Sequence, residues 1–253
     1  MGPDGPVKST DKSLLDLSAY TNGWEIRKDR GSFLEVASAL HPGRLYLARA
    51  ADGSITVEWP DPRLGEELRR FFPSHVSTDL RSAHLPRRDQ LDALLTRAAG
   101  IDRSLPNHTA ARLPEALDRE LEVIDDFSTE TRRLTKQRIG QNLFREALLD
   151  YWGGACAVTG ISQPELLRAS HSTPWAECKT DEDRLNVFNG FLLVAHLDAL
   201  YDAGLLSFQS DGKVIFSPAL APDLFDRLPL QNLRLRWITP DHLHFIRTPE
   251  WGS

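Results

Sequence analysis

With 253 residues, 41% of them hydrophobic and 26% charged, the chain has the make-up of a water-dissolved protein of one large or two modest domains. No apolar run approaches the roughly 20 residues of a bilayer span. Two cysteines, Cys156 and Cys178, exclude a disulfide framework and a four-cysteine zinc site and suit a reducing cytoplasm, the expected location. The net charge of −6 falls wholly in residues 106–253, which hold 15 basic against 21 acidic side chains, so any nucleic-acid contact needs a local basic patch.

Residues 1–17 hold Gly and Pro and lack the apolar core of a secretory signal, so they read as a flexible leader. Four strand-like runs follow: GWEI (23–26), FLEVAS (33–38), RLYLARA (44–50) and SITVEW (54–59), the last two joined by a hairpin signal, Ala-Asp-Gly. Helices are expected over 60–72 and over 87–100, the second ending at Gly100. Residues 18–103 thus form a small N-terminal α+β domain, a candidate recognition or regulatory unit with no catalytic motif. Core packing is the expected fate of Trp24, Tyr46, Phe71 and Phe72, with stacking on a flipped base the alternative. Residues 104–134 are polar and broken by Pro106 and Pro114, which predicts a linker with at most one short helix.

From Thr135 the pattern changes. Ile139, Leu143, Phe144, Ala147, Leu148 and Tyr151 share one face at a period of 3.6, and Gly153-Gly154 ends the helix. Its early part carries the basic patch Arg132, Arg133, Lys136, Arg138 and Arg145, which contains no acidic residue. The functional reading is a DNA contact, and the bland one a solvated helix face. An apolar helix is expected near 194–204, and strands at LLSF (205–208) and KVIFS (213–217). His242 and His244, at period-2 spacing on an expected strand, read as surface residues.

Three residues stand out by order and spacing: His171 in ASHSTPW, Asn189 in FNGF, and His196 in VAHLDALYDAG. Together with RIGQNLFR and CAVTG, these stretches resemble the HNH endonucleases, in the branch without CxxC zinc knuckles. The likeness covers residues 136–220, with CAVTG expected as a strand. It implies a C-terminal ββα-metal domain over 135–253, so the whole chain is expected to be α+β.

The resemblance implies that His171 is the general base at the end of the first strand. Asn189 would tie the intervening loop, and His196 would bind the metal. A histidine suits the base because its ordinary pKa of about 6.5 lies near working pH. The metal shell is expected to hold His196, Asp198 and Ser170, although many HNH enzymes carry an acidic residue or histidine where Ser170 stands. His196 and Asp198 lie about 200° apart on a regular helix, so they converge only if the helix begins near Leu197. Asp198 and Asp202 share a face. One divalent ion is implied, Mg²⁺ first, with Mn²⁺, Ni²⁺ or Zn²⁺ as alternatives. The function that follows is phosphodiester hydrolysis of DNA, in bacterial restriction or defence and directed at modified DNA. Cutting both strands from a single centre would ask for a homodimer. The alternative is a DNA-binding or interaction module with a degenerate HNH centre.

Overall fold

The computed structural model describes residues 9–122, 128–246 and 251, and the chain divides into two compact units between Arg103 and Ser104. It mixes helices and strands and is α+β.

The first unit is built on a five-stranded antiparallel meander: β1 (Ile26–Asp29), β2 (Leu34–Ala37), β3 (Arg44–Arg49), β4 (Ile55–Glu58) and β5 (Ser82–Leu85). Leu34, Val36, Leu45, Leu47, Ile55, Val57, Ala83 and Leu85 alternate along the strands and are all buried. This period of two puts them on one face, in one core with side chains from three helices: α1 (Ser9–Thr21), α2 (Pro62–Arg69) and α3 (Arg88–Ser104). The β3–β4 hairpin turns at Gly53, whose φ of 87° is costly for any residue with a Cβ. Trp24 is fully buried, its indole N–H donating to the Leu95 carbonyl at 3.0 Å.

Three expectations change here. Residues 9–17, read as leader, belong to α1, because Leu15 and Ala19 are buried in the sheet's core; residues 1–8 lie outside the described residues. Gly100 sits inside α3, where burial of Ala98, Ala99 and Ile101 holds the helix through it to Ser104. Strand β5 had no expected counterpart, since only Ala83 and Leu85 mark its inward face.

The second unit begins with α4 (Pro106–Leu121) and α5 (Thr129–Trp152), so residues 104–134 are largely helical and not a linker. Pro106 sits at the helix start, where its missing N–H costs nothing. Pro114 lies in the helix interior, a position worth about 3 kcal/mol against the helix. Leu113 and Leu117 offset it by burial in one core with Ile139 and Leu143 of α5. Ser128 starts α5, its hydroxyl accepting from the Thr131 amide, and Gly153 ends it in the left-handed conformation at φ 65°. The acidic stretch at 123–127 is outside the described residues.

CAVTG is a turn and not a strand. The Cys156 amide donates to the Ile161 carbonyl and the Gly160 amide to that of Cys156, closing the chain on itself. Strand β6 (Leu167–His171) then pairs antiparallel with β7 (Gly190–Val194), in a register that sets His171 against Gly190. Between them lies a loop holding α6 (Asp181–Leu185). Helix α7 (Ala195–Asp202) follows β7 directly, so the sequence β6–loop–β7–α7 is a ββα unit. A short hairpin, β8 (Leu206–Phe208) with β9 (Val214–Phe216), and two short helices, α8 (Leu224–Arg227) and α9 (Pro240–Leu243), complete it. His242, expected on a surface strand, is fully buried in α9, with its ring stacked on Phe191 and bonded to the Thr239 hydroxyl at 2.7 Å. His244 is exposed.

Candidate active site

His171 closes β6 and is positioned from two sides. Its ring stacks on Phe144 of α5, with centroids 3.7 Å apart and planes 14° from parallel. Its Nε2 lies 2.9 Å from the backbone carbonyl of Arg184. A carbonyl only accepts, so the proton of the neutral ring resides on Nε2 and Nδ1 keeps a lone pair. Burial pushes the His171 pKa below its ordinary value, while the Arg184 carbonyl pulls the other way more weakly. Among the described residues no hydrogen bond engages Nδ1. The result is a neutral, oriented imidazole with one basic nitrogen available.

Arg184 also pins the loop that carries it. Its guanidinium donates to the carbonyls of Cys178 (2.6 Å) and Trp175 (3.2 Å) and to the Asp181 carboxylate (3.0 Å). Nothing in the stretch DEDRL singled out this residue, because its decisive group is a backbone oxygen.

Asn189 is fully buried and spans the same loop. Its Oδ1 accepts from the Thr173 amide at 2.8 Å, and its Nδ2 donates to the Asp183 carbonyl at 2.9 Å. Nδ2 also lies 3.3 Å from the Cys178 sulfur, and that thiol donates onward to the Thr173 carbonyl at 3.4 Å. Burial raises the Cys178 pKa and keeps it a protonated donor. Both cysteines are buried and free.

The glycines of RIGQ and NG are explained by close approaches. A Cβ on Gly140 would overlap the Trp175 indole, and one on Gly190 would overlap the Ser170 carbonyl and the Phe144 ring. Gly140 thereby lets α5 receive Trp175, and Gly190 lets β7 approach His171. Arg145 reaches from α5 to the Leu167 carbonyl (2.8 Å) and ties that helix to β6.

The expected metal ligands are only partly brought together. Ser170 is buried and its hydroxyl donates to the Asp198 carboxylate, joining β6 to α7. His196 stands elsewhere. Helix α7 begins at Ala195, so His196 and Asp198 are both inside it and diverge by about 200°. His196 Nε2 is buried without a hydrogen-bond partner among the described residues, and desolvation lowers its pKa. No group of three or more His, Cys, Asp or Glu side chains suited to a metal forms among the described residues. The residues present therefore do not fit the expected three-donor shell. Asp202 shares a face with Asp198; burial first, and that neighbouring carboxylate second, raise its pKa.

The basic patch is largely neutralised in three dimensions. Lys136 pairs with Asp181 (2.7 Å), Arg138 with Glu120 (2.5 Å) and Arg133 with Glu130 (2.7 Å). Arg145 is spent on backbone carbonyls, and Arg132 is exposed. Arg133 and Lys136 nevertheless line a groove of about 420 Å³ with Gln137, Trp175, Asp181 and Arg184, beside the loop that orients His171.

A strand ending in an oriented neutral histidine, a loop pinned by a buried asparagine, and a following strand and helix together decide the comparison. Residues 156–209 match the HNH endonuclease family. This HNH domain occupies the C-terminal part of the chain and runs from the CAVTG turn through β8. Phe144, Gly140 and Arg145 lie outside the matched residues, so α5 packs on the matched segment from beyond it. No curated protein matches the chain. No described helix is long and apolar enough to cross a membrane.

Proposed function

We propose that the chain is a DNA endonuclease in which His171 is the general base. The observation that carries this reading is the 2.9 Å bond from His171 Nε2–H to the Arg184 carbonyl, which leaves Nδ1 as the proton acceptor. Nδ1 takes a proton from a water whose oxygen forms a bond to phosphorus. One P–O ester bond breaks, and the departing oxygen acquires a proton. Asn189 holds the loop so that the Arg184 carbonyl stays in register with the ring. Positioning and a base of suitable pKa are what such a hydrolysis asks of the protein.

HNH nucleases generally use a divalent metal, and the proposed enzyme requires one, Mg²⁺ first. Of its three expected donors Ser170 and Asp198 meet, and an ion bound there would stabilise charge on the phosphate. The groove lined by Arg133 and Lys136 is the proposed path of the DNA backbone, with phosphates displacing Asp181 from Lys136. A restriction or defence role against modified DNA, with the N-terminal unit supplying recognition and two copies supplying two cuts, is the proposed setting.

A degenerate centre that only binds DNA is favoured by one observation, the lack of a three-ligand group among the described residues. Plasmid nicking by the full chain in Mg²⁺, Mn²⁺ or Ni²⁺, on plain and methylated DNA, separates the two readings. Cutting that disappears in His171→Ala supports the enzyme. DNA binding with no cutting under any metal overturns it.

A further inference from the structure

The outward face of the N-terminal sheet carries a cavity of about 500 Å³, built wholly within the first unit. Its volume falls in the usual range for sites that hold a small heterocycle. Two rings form a corner: Phe33 and Tyr46 meet edge to face, with centroids 5.6 Å apart and planes at 88°. That geometry fixes the Tyr46 ring and leaves a flat aromatic wall. Ala48 and Ala50 keep the floor open.

The polar groups of the cavity converge by sheet register. Tyr46 lies opposite Glu58, Glu58 opposite Ser82, and Thr56 opposite His84, with the Thr56 hydroxyl 3.2 Å from His84 Nδ1. Two glutamates of this sheet differ in their partners. Glu35 is paired with both Arg30 and Arg44, whereas the Glu58 carboxylate makes no ion pair or hydrogen bond among the described residues. A lone carboxylate beside an aromatic wall excludes a phosphate and calls for a flat ligand that presents N–H donors.

Resting on the reading of the chain as a DNA enzyme, we infer that this cavity receives one nucleobase swung out of the duplex, of the kind that bears an amino group. The base stacks on Tyr46, and Glu58 accepts from its exocyclic N–H, as acidic side chains accept from the cytosine amino group. Thymine, which offers a carbonyl oxygen there, is repelled. Hydroxyl and imidazole groups around the rings suit a hydrogen-bonding heterocycle better than a bare cation, which aromatic cages bind through ring faces alone.

The test uses the full-length His171→Ala protein and short duplexes with a single C, A, G or T opposite an abasic site, titrated by fluorescence anisotropy at fixed salt. Binding about tenfold tighter with C, A or G than with T is expected. Glu58→Gln, at an exposed position, should erase that preference. Ala48→Trp, which fills the cavity, should bring every duplex to the affinity of one with no base there; thermal melting checks that both variants fold. Equal binding of all four bases, or a preference that survives both substitutions, overturns the inference. So does Tyr46-dependent capture of a trimethyl-lysine peptide in place of DNA, which would make the cavity a cation site. Plasmid nicking by the wild-type chain is run alongside. Nicking without base preference rejects the cavity and leaves the nuclease standing; base preference without nicking does the reverse.

Discussion

His171 and Arg184 are joined by a hydrogen bond of 2.9 Å from an imidazole nitrogen to a backbone oxygen, and that bond decides which ring nitrogen can act as base. The carbonyl is held in place because the Arg184 side chain clamps three points of its own loop. Ring orientation and tautomer thus come from the backbone of Arg184, while burial lowers the pKa.

The pH dependence of cleavage follows from the burial of His171. Its pKa is lowered in the folded protein, so the neutral base persists below the ordinary histidine value of 6.5. The acid limb of kcat/KM is expected to fall at a pH under 6.5. The sign for stability is the same: the unfolded chain binds the proton more readily, so this contribution is complete above pH 6.5 and is lost as pH drops through the folded pKa. An acid limb at or above 6.5 would contradict the assignment.

Replacing Arg184 with alanine removes all three side-chain clamps but leaves the backbone oxygen. The expected result is a fall in kcat with a smaller change in KM, and a stability loss of about 1–3 kcal/mol. Stopped-flow cleavage and urea titration measure the two effects. Unchanged kcat would show that the loop holds its shape without the guanidinium.

Asn189→Ala leaves the Thr173 amide and the Asp183 carbonyl without their buried partner. A stability loss of about 1–3 kcal/mol is expected, because unmade buried hydrogen bonds cost most. Cleavage should fall with it, and Asn189→Asp should restore only the bond from the Thr173 amide, since a carboxylate cannot donate to Asp183.

Gly140→Ala opposes two effects. An alanine in mid-helix gains about 1 kcal/mol over glycine. Against that, the new methyl group overlaps the Trp175 indole, and overpacking of this kind costs about 1–3 kcal/mol. The clash should win: melting temperature falls, and cleavage drops as the Trp175 loop shifts. Gly154→Ala is the control for glycine loss, since its Cβ would meet no atom within 4 Å, although φ of 67° still strains it.

Chelation should abolish cleavage and leave the fold largely intact, because the described core around α5 and β7 is hydrophobic and contains no metal-ligand group. Ser170→Ala breaks the link to Asp198. In the proposed enzyme, with Asp198 holding the ion, the metal concentration for half-maximal cutting is expected to shift in this variant while cutting at saturating metal recovers.

Much of the fold was legible where period and punctuation agreed. Strands β2, β3 and β4 match alternating apolar runs, whereas the exposed β1 shares only Ile26 with the run GWEI, and α5 follows its 3.6 period to the Gly153 stop. The sequence failed where tertiary burial overruled local signals. Pro114 argues for a break, yet the buried Leu113 and Leu117 carry α4 through it. His242 looked like a surface residue because its burial depends on Phe191, some fifty positions earlier, and on the Thr239 cap. CAVTG has the composition of a strand, but its Cys156 and Gly160 amides close onto the Ile161 and Cys156 carbonyls, and only the Ala157 amide reaches β7, at the Leu192 carbonyl.

By itself the sequence determined the HNH family of the C-terminal part and brought His171 and Asn189 forward as candidates, because spacing along the chain preserves the order β-strand, loop, β-strand, helix. Only the tertiary structure decided how those residues are held. The Phe144 ring beneath His171, the Arg184 carbonyl at its Nε2, and the Ser170 hydroxyl on Asp198 each join segments separated by 13 to 28 positions. Helix periodicity sends His196 and Asp198 apart once α7 is seen to start at Ala195. Contacts between distant segments have no local signature, since they arise from packing α5 and α7 against a two-stranded sheet and not from the preference of any one residue.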